Sequence, residues 1–180
     1  MSRWNRVARR VRVPLGFAFA VIYWWLARPT ASALALGGAV ALLGLLLRGL
    51  ASGHVKKDSE LTTTGPYAYT RNPLYLGSLI IAAGFAIAAR SGWVVLAMAV
   101  MFIVIYLPVI RYEDAYLRAR FAGFQDYCRR VPRLVPRLSA SSGTGVRFSP
   151  DLYWKHREYN AFIGTLLMLA ALAAKLAWVR

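Results

Sequence analysis

Five apolar runs, with charges gathered between them, constrain this chain more than any other feature. They cover roughly Pro14–Ala27, Ala31–Ala51, Leu74–Ala89, Trp93–Ile110 and Ala161–Val179. A straight bilayer crossing takes about 20 residues, so the first and third runs borrow interfacial neighbours. Tyr23, Trp24 and Trp25 in the first run, and Trp93, Trp154 and Trp178 near others, suit an aromatic belt at the membrane–water boundary. Pro14 fits the first turn of a helix, where its missing N–H goes unneeded. Apolar residues make up 58% of the chain, against about 45–50% in soluble domains, and the blocked pattern accounts for the excess. The runs predict an all-α integral membrane protein with about five transmembrane helices.

Residues 1–180 then read as one membrane domain. It divides into a basic arm at 1–13, two spans within 14–51, a core at 55–138 holding the spans at 74–89 and 93–110, a linker at 139–157 and a fifth span within 158–180. No small-residue cleavage site follows the first run, so that run is expected to stay as a span. Residues 139–149, rich in Ser, Gly and Thr, read as flexible. The fifth span reads as a scaffold or oligomerisation helix, and Gly49 and Gly53, four apart, allow close helix packing.

Lysine and arginine set the orientation. The formal net charge is +16. Arg3, Arg6, Arg9, Arg10 and Arg12 crowd the arm, Lys56, Lys57 and Arg71 the second loop, and ten basic residues the stretch from Arg111 to Arg157. Arg28, Arg90 and Arg180 stand on the other side, with Lys175 able to snorkel outward. If all five runs cross, every rich segment falls on one face, and the positive-inside rule makes that face cytoplasmic. Compact size and Ala/Arg-rich usage indicate a bacterial chain, so the expected location is the inner (plasma) membrane with a cytoplasmic N-terminus. Because the basic clusters flank apolar spans, anionic phospholipids rather than nucleic acid are the expected partners. Cys128 is the only cysteine, which excludes an intramolecular disulfide and a cysteine metal cluster. His54 and His156 lie far apart with no ligand spacing around them, so no metal site is expected.

Between the second and third runs lies Gly65-Pro66-Tyr67-Ala68-Tyr69-Thr70-Arg71-Asn72-Pro73-Leu74-Tyr75-Leu76-Gly77. It places two X-Pro steps, three tyrosines, an arginine and an asparagine just before the chain re-enters lipid. Such a segment breaks helix continuity and reads as a site. A hairpin turning at Ser91-Gly92 returns the chain to the same face, where the fourth run ends in Arg111-Tyr112-Glu113-Asp114. Adjacent carboxylates at the end of a membrane run stand out in a chain with seven acids. Ionised groups near hydrocarbon are kept where they pair or bind. One reading neutralises Glu113 or Asp114 with Arg111 or Arg118; the other sets the pair against a positively charged cofactor amine or sulfonium. Tyr127-Cys128-Arg129-Arg130-Val131-Pro132-Arg133 follows, its helix ended by Pro132 and Pro136.

Together these pieces resemble the isoprenylcysteine carboxyl methyltransferase and phospholipid methyltransferase superfamily. Gly65, Tyr67, Arg71, Pro73, Tyr75 and Gly77 match its first motif. Glu113, Leu117 and Phe121 match the second, and Tyr127, Val131, Pro132 and Arg133 the third. Asn72 stands where the family has histidine, Asp114 replaces a second glutamate, and Phe121-Ala122-Gly123 alters a Phe-Gly step. The resemblance implies a cytoplasmic-side pocket for S-adenosyl-L-methionine. It assigns Leu61, Thr62, Tyr67, Asn72, Pro73, Leu74, Tyr75, Glu113 and Asp114 to the cofactor, with Glu113 on its ammonium. Arg71 and Arg111 would orient an anionic substrate group, and Leu76, Gly77 and Ile80 would line the path of a lipophilic acceptor between the third and fourth spans. Asn72 can donate and accept hydrogen bonds but cannot take up and release a proton near neutral pH, so no histidine base acts there.

Methyl transfer from a sulfonium is an in-line displacement that mostly needs alignment. A carboxylate acceptor is already ionised at neutral pH, which suits a chain without an obvious base. Two alternatives stand beside this reading. Sterol-reductase-like membrane enzymes share part of the first motif but use NADPH. A non-catalytic membrane binding or assembly protein would explain Asn72.

Overall fold

The structure, a computed structural model, describes residues 16, 18–56, 59–141 and 147–178. The basic arm at 1–13, Pro14, Lys57, residues 142–146 of the linker and Arg180 lie outside them. The described residues form helices and loops with no strand. In chain order these are α1 (residues 18–26), α2 (Ala31–Ser52), a 3-10 turn (Gly65–Ala68), α3 (Pro73–Ala89) and α4 (Gly92–Met101). A π-helical segment (Phe102–Tyr106), α5 (Leu107–Arg120), α6 (Phe124–Arg130), α7 (Pro150–Lys155) and α8 (Tyr159–Trp178) follow. Within the described residues all five apolar runs contain helix, and the protein is an all-α membrane protein.

Among the described residues three helical stretches are long and apolar enough to cross a membrane: Ala31–Ser52, Gly92–Arg120 and Tyr159–Trp178. The shorter α3 has 17 residues, about 25 Å at 1.5 Å per residue. α4, the π segment and α5 form one rod of 29 residues. At about 43 Å this rod exceeds a hydrocarbon core of about 30 Å, so its charged end, Arg111 to Arg120, projects beyond the lipid. Pro108 lies inside the rod and has no N–H to give a carbonyl one turn back. The chain answers with a widened turn in which the Leu107 N–H reaches the Phe102 carbonyl.

Local chemistry sets the ends. The Thr30 hydroxyl accepts from the Ala33 N–H at 3.3 Å and starts α2. Pro73 opens α3, where its fixed φ suits a first turn. Arg90, left-handed at φ 51, closes α3, and the hairpin turns at Arg90-Ser91, within a residue of the expected position.

α2 and α3 run antiparallel with their backbones in contact. Gly37 meets Gly84, and Gly44 meets Gly77; a methyl added at Gly44 would lie 2.6 Å from the Gly77 carbonyl oxygen. Small residues let membrane helices approach this closely, because van der Waals packing is the main attraction available there. Gly49 and Gly53 serve differently from expectation: they accept the Tyr153 and Phe148 rings ahead of α8, not another spanning helix.

The fifth apolar run packs against the others. Leu172 of α8 is buried with Tyr23, Ala27, Ala88, Ala89 and Val94. Lys175 does not snorkel to water. Its Nζ donates to the carbonyls of Trp24 (2.5 Å), Trp25 (3.0 Å) and Ala27 (2.8 Å), and stands 4.8 Å from the Trp24 ring centroid. The last carbonyls of α1 have no helical partner, and the ammonium caps them.

Arg48 lies inside the second apolar run. Its Nε pairs with Glu158 Oε1 at 2.5 Å, and its Nη1 donates to Ser78 Oγ at 2.5 Å and to the Leu74 carbonyl at 3.3 Å. One guanidinium thus ties α2 to the start of α3 and to the approach to α8.

Candidate functional site at the motif loop

The three motif pieces converge at one end of the bundle. The Gly65–Gly77 segment begins with Gly65 at φ +58, where a Cβ would strike the His54 ring. His54 is held in turn, its Nδ1 2.7 Å from the Leu50 carbonyl. The 3-10 turn buries Tyr67 and Ala68. Residues 131–141 then lie across the loop like a strap. The Arg71 N–H donates to the Pro132 carbonyl (2.9 Å), the Arg137 N–H to Tyr69 (3.0 Å) and the Ser141 N–H to Ala68 (3.0 Å). The Thr70 hydroxyl reaches the Arg133 and Leu134 carbonyls at 3.2 Å each. Asn72 Nδ2 donates to the Arg133 carbonyl at 3.0 Å. Backbone donors and acceptors near lipid need such partners.

Beneath the strap, Phe124, Tyr127 and Val131 form a small core joined by Leu61, Leu117 and Phe121. The Tyr127 hydroxyl donates to the Tyr67 carbonyl at 2.7 Å. Burial pushes the Tyr67 phenol well above its ordinary value, with Tyr127, Glu113 and Glu158 adding to the effect. Burial likewise raises Tyr127, although Arg71 opposes it. Both hydroxyls are therefore protonated donors at neutral pH.

The two acids of α5 point to different tasks. Asp114 is buried, with Arg133 Nη2 at 2.8 Å and Arg71 Nη1 at 3.6 Å from its Oδ2. These are ion pairs without hydrogen-bond alignment, since Oδ2 has no hydrogen-bond partner and neither does the buried Arg71 Nε. Arg71 Nη1 donates to Cys128 Sγ at 2.7 Å. Arg111 and Arg118, candidate partners from sequence, do not form this pair. Glu113 is exposed, and the Tyr75 hydroxyl donates to its Oε1 at 3.0 Å across the gap between α3 and α5. Tyr75 also meets the Tyr106 ring edge-on, 6.1 Å between centroids, and Tyr106 stacks on Phe102.

The structure thus gathers Tyr67, Arg71, Asn72, Pro73, Leu74, Tyr75, Glu113 and Asp114. Leu61 packs beneath them, and the Thr62 hydroxyl accepts from the Lys56 N–H at 3.2 Å. Arg111 is exposed on α5. Gly77 sits in the α2 seam, where a Cβ would lie 2.6 Å from Arg48 Cγ, so its missing side chain serves packing. Counting from Tyr75 by helical repeat, the face shared with it carries Leu79, Ala82 and Ala86; Leu76 and Ile80 lie about a quarter-turn or more away. Sequence reasoning passed over Arg48, Ser78 and Glu158. A lone arginine within an apolar run is the signal that could have found them. Among the described residues no group of three His, Cys, Asp or Glu side chains is placed to hold a metal ion.

Fold and site together define an all-helical membrane protein whose polar, acid-bearing loop is clamped at one end of the bundle. The chain belongs to the phospholipid methyltransferase family, whose sequence model matches residues 12–123. Three relatives agree. The chain is 40% identical over 84 residues to the nickel-cobalt-cadmium resistance protein NccN of Alcaligenes xylosoxydans xylosoxydans, covering 47% of this chain and 39% of that one. It is 39% identical over 88 residues to the cobalt-zinc-cadmium resistance protein CzcN of Cupriavidus metallidurans, covering 49% and 41%. It is 41% identical over 85 residues to methanethiol S-methyltransferase 2 of Bradyrhizobium diazoefficiens, covering 47% and 32%. The matched part is thus well under half the length of each relative. No solved structure matches the chain. The family resemblance carried by the motifs holds: the chain is a member of a membrane methyltransferase family.

Proposed function

We propose that the chain transfers a methyl group from S-adenosyl-L-methionine to a lipophilic acceptor, a carboxylate, at the cytoplasmic membrane face. The observation that carries this reading is the Tyr75–Glu113 contact at 3.0 Å, which brings an exposed carboxylate from α5 against the motif loop. The residues present fit the cofactor's zwitterionic end. Glu113 would hold its ammonium. Arg71 Nε, buried without a hydrogen-bond partner, would face its carboxylate or an anionic acceptor group. Tyr67, Asn72, Pro73 and Leu74 would line the adenosine side. When bound, the cofactor supplies an electrophilic methyl on sulfur. The chain's own part is to align and exclude water. Tyr75 fixes the Glu113 carboxylate, the strap fixes the loop, and Arg111 stands exposed to steer an acceptor anion. The gap between α3 and the α4–α5 rod offers a lipid-side path for the apolar tail.

The test is transfer of labelled methyl from the cofactor into a lipid extract by purified protein. Glu113→Ala abolishes transfer and weakens cofactor binding at least tenfold, the loss of a charge-assisted contact worth about 1.5–3 kcal/mol. Failure of the wild-type protein to bind the cofactor ends the proposal.

The methanethiol S-methyltransferase relative supports a second reading, a small thiol acceptor. A thiol must shed its proton at about pH 8.5, whereas a carboxylate has already done so. The rate would then climb through the thiol range; a profile flat above about pH 6 keeps the carboxylate reading.

A further inference from the structure

The strap at residues 131–141 has two faces. Its inner face holds the motif loop through the carbonyls of Pro132, Arg133 and Leu134 and the N–H groups of Arg137 and Ser141. Its outer face carries Val135, 76% exposed, and Leu138, 104% exposed. Among the described residues the other large apolar side chains more than 60% exposed lie on the apolar helices, apart from Trp154 on α7 at 63%. Basic groups flank the pair along the chain. Arg129 and Arg130 at the end of α6 and Arg133 on the strap are exposed, and Arg137 Nη1 donates to the Arg130 carbonyl at 2.8 Å. Level matters as well. Asn72, gripped by Arg133, immediately precedes Pro73, the first residue of the apolar α3. The strap therefore lies where hydrocarbon gives way to head groups.

We propose that the outer face of the strap, Val135 and Leu138 with the arginines that flank them, docks on anionic lipid head groups and sinks its two apolar side chains below them. The occupant follows from charge and depth. Arginines match phosphate-bearing lipid, each strengthening attachment to an anionic surface about fivefold. Each apolar side chain drawn out of water adds roughly tenfold or more. Because the opposite face clamps residues 68–72, docking steadies the motif loop, and the anionic content of the membrane sets how firmly the site is held. The proposal stands apart from the identity of the cofactor or acceptor.

The full chain, carrying Cys128→Ser and Leu138→Cys with an environment-sensitive fluorophore on the new thiol, is placed in nanodiscs of phosphatidylcholine alone or mixed equally with phosphatidylglycerol. The emission is expected to shift to the blue in the anionic discs and to be quenched by lipids with a shallow acyl-chain quencher. Raising salt to about 1 M, where screening reaches about 3 Å, reverses part of the shift. Arg129→Gln with Arg130→Gln lowers the docked-to-free ratio roughly 25-fold, two arginines at about fivefold each. A second label at Val135→Cys reports the same behaviour if the first variant folds poorly. Water-like emission in both discs overturns the proposal, and an equal blue shift in both overturns its anionic selectivity. Hydrogen exchange at the Arg71, Arg137 and Ser141 amides slows in the anionic discs; unchanged exchange overturns the link to the loop.

Discussion

Replacing Asp114 with alanine tests whether the motif loop is held by charge. The carboxylate is about nine-tenths buried and faces Arg71, whose side chain is 12% exposed, and Arg133, whose side chain is 42% exposed. Removing it strands Arg71 in a dry environment with Cys128 as its hydrogen-bond partner. Breaking a buried pair from one side costs about 3–5 kcal/mol, because the desolvated charge left behind has nothing to offset it. Arg71→Gln is expected to cost less, since Asp114 keeps Arg133 at 2.8 Å. Arg133→Gln should cost about 1 kcal/mol or less, since its guanidinium returns to solvent and exposed pairs contribute little. Thermal unfolding in detergent micelles gives the three values, and a double-mutant cycle between Arg71 and Asp114 isolates their coupling. The Arg71 amide, bonded to the Pro132 carbonyl, should lose exchange protection in Asp114→Ala. Should Asp114→Ala cost under 1 kcal/mol, or should Arg133→Gln prove the more harmful, the buried-charge argument is wrong.

Other outcomes follow from the same structure. Gly44→Ala pushes a methyl to 2.6 Å from the Gly77 carbonyl oxygen and should destabilise by about 1–3 kcal/mol. Gly164→Ala, with open space around it, should be neutral or stabilising by up to about 1 kcal/mol; the pair of melting curves separates seam packing from helix propensity. Glu158→Ala leaves Arg48 bound to Ser78 and Leu74 but uncompensated, and should lower stability by about 3 kcal/mol, whereas Arg48→Met with Glu158→Leu should recover most of it. Tyr67 and Tyr127 have raised folded-state values, so their contribution is present in full below the unfolded value of about 10 and lost as pH rises beyond it. Each removes about 1.4 kcal/mol per pH unit above that point, and Tyr127→Phe should flatten the alkaline fall in melting temperature measurably.

Much of this was legible because the membrane imposes strong rules. Apolar runs of sufficient length become helices, and within the described residues all five contain one, α3 starting within one residue of its expected bound. The convergence of Gly65–Gly77 with Glu113 and Tyr127 could be read from the hairpin, since an even number of crossings returns the chain to the same face. Side-chain pairing was not legible. Sequence neighbours offered Arg111 and Arg118 to Asp114, but burial selected Arg71 and Arg133, which arrive from distant segments. The glycine seam escaped because its partners are seven apart on each helix, a spacing that shows only when two antiparallel helices are laid together. Lys175 near the end of a span reads as a snorkelling side chain until the end of α1 is placed beside it.

The π-helical turn at Phe102–Tyr106 makes the long rod a phase-setting device. One residue more or less in a helix rotates everything beyond it by about 100° and shifts it by about 1.5 Å. Deleting a single residue there would restore an ordinary turn and swing Glu113 away from Tyr75 while leaving every motif residue in the chain. The site's geometry therefore depends on an element with no chemistry of its own, and length in that helix positions Glu113 as much as the identity of any residue it carries.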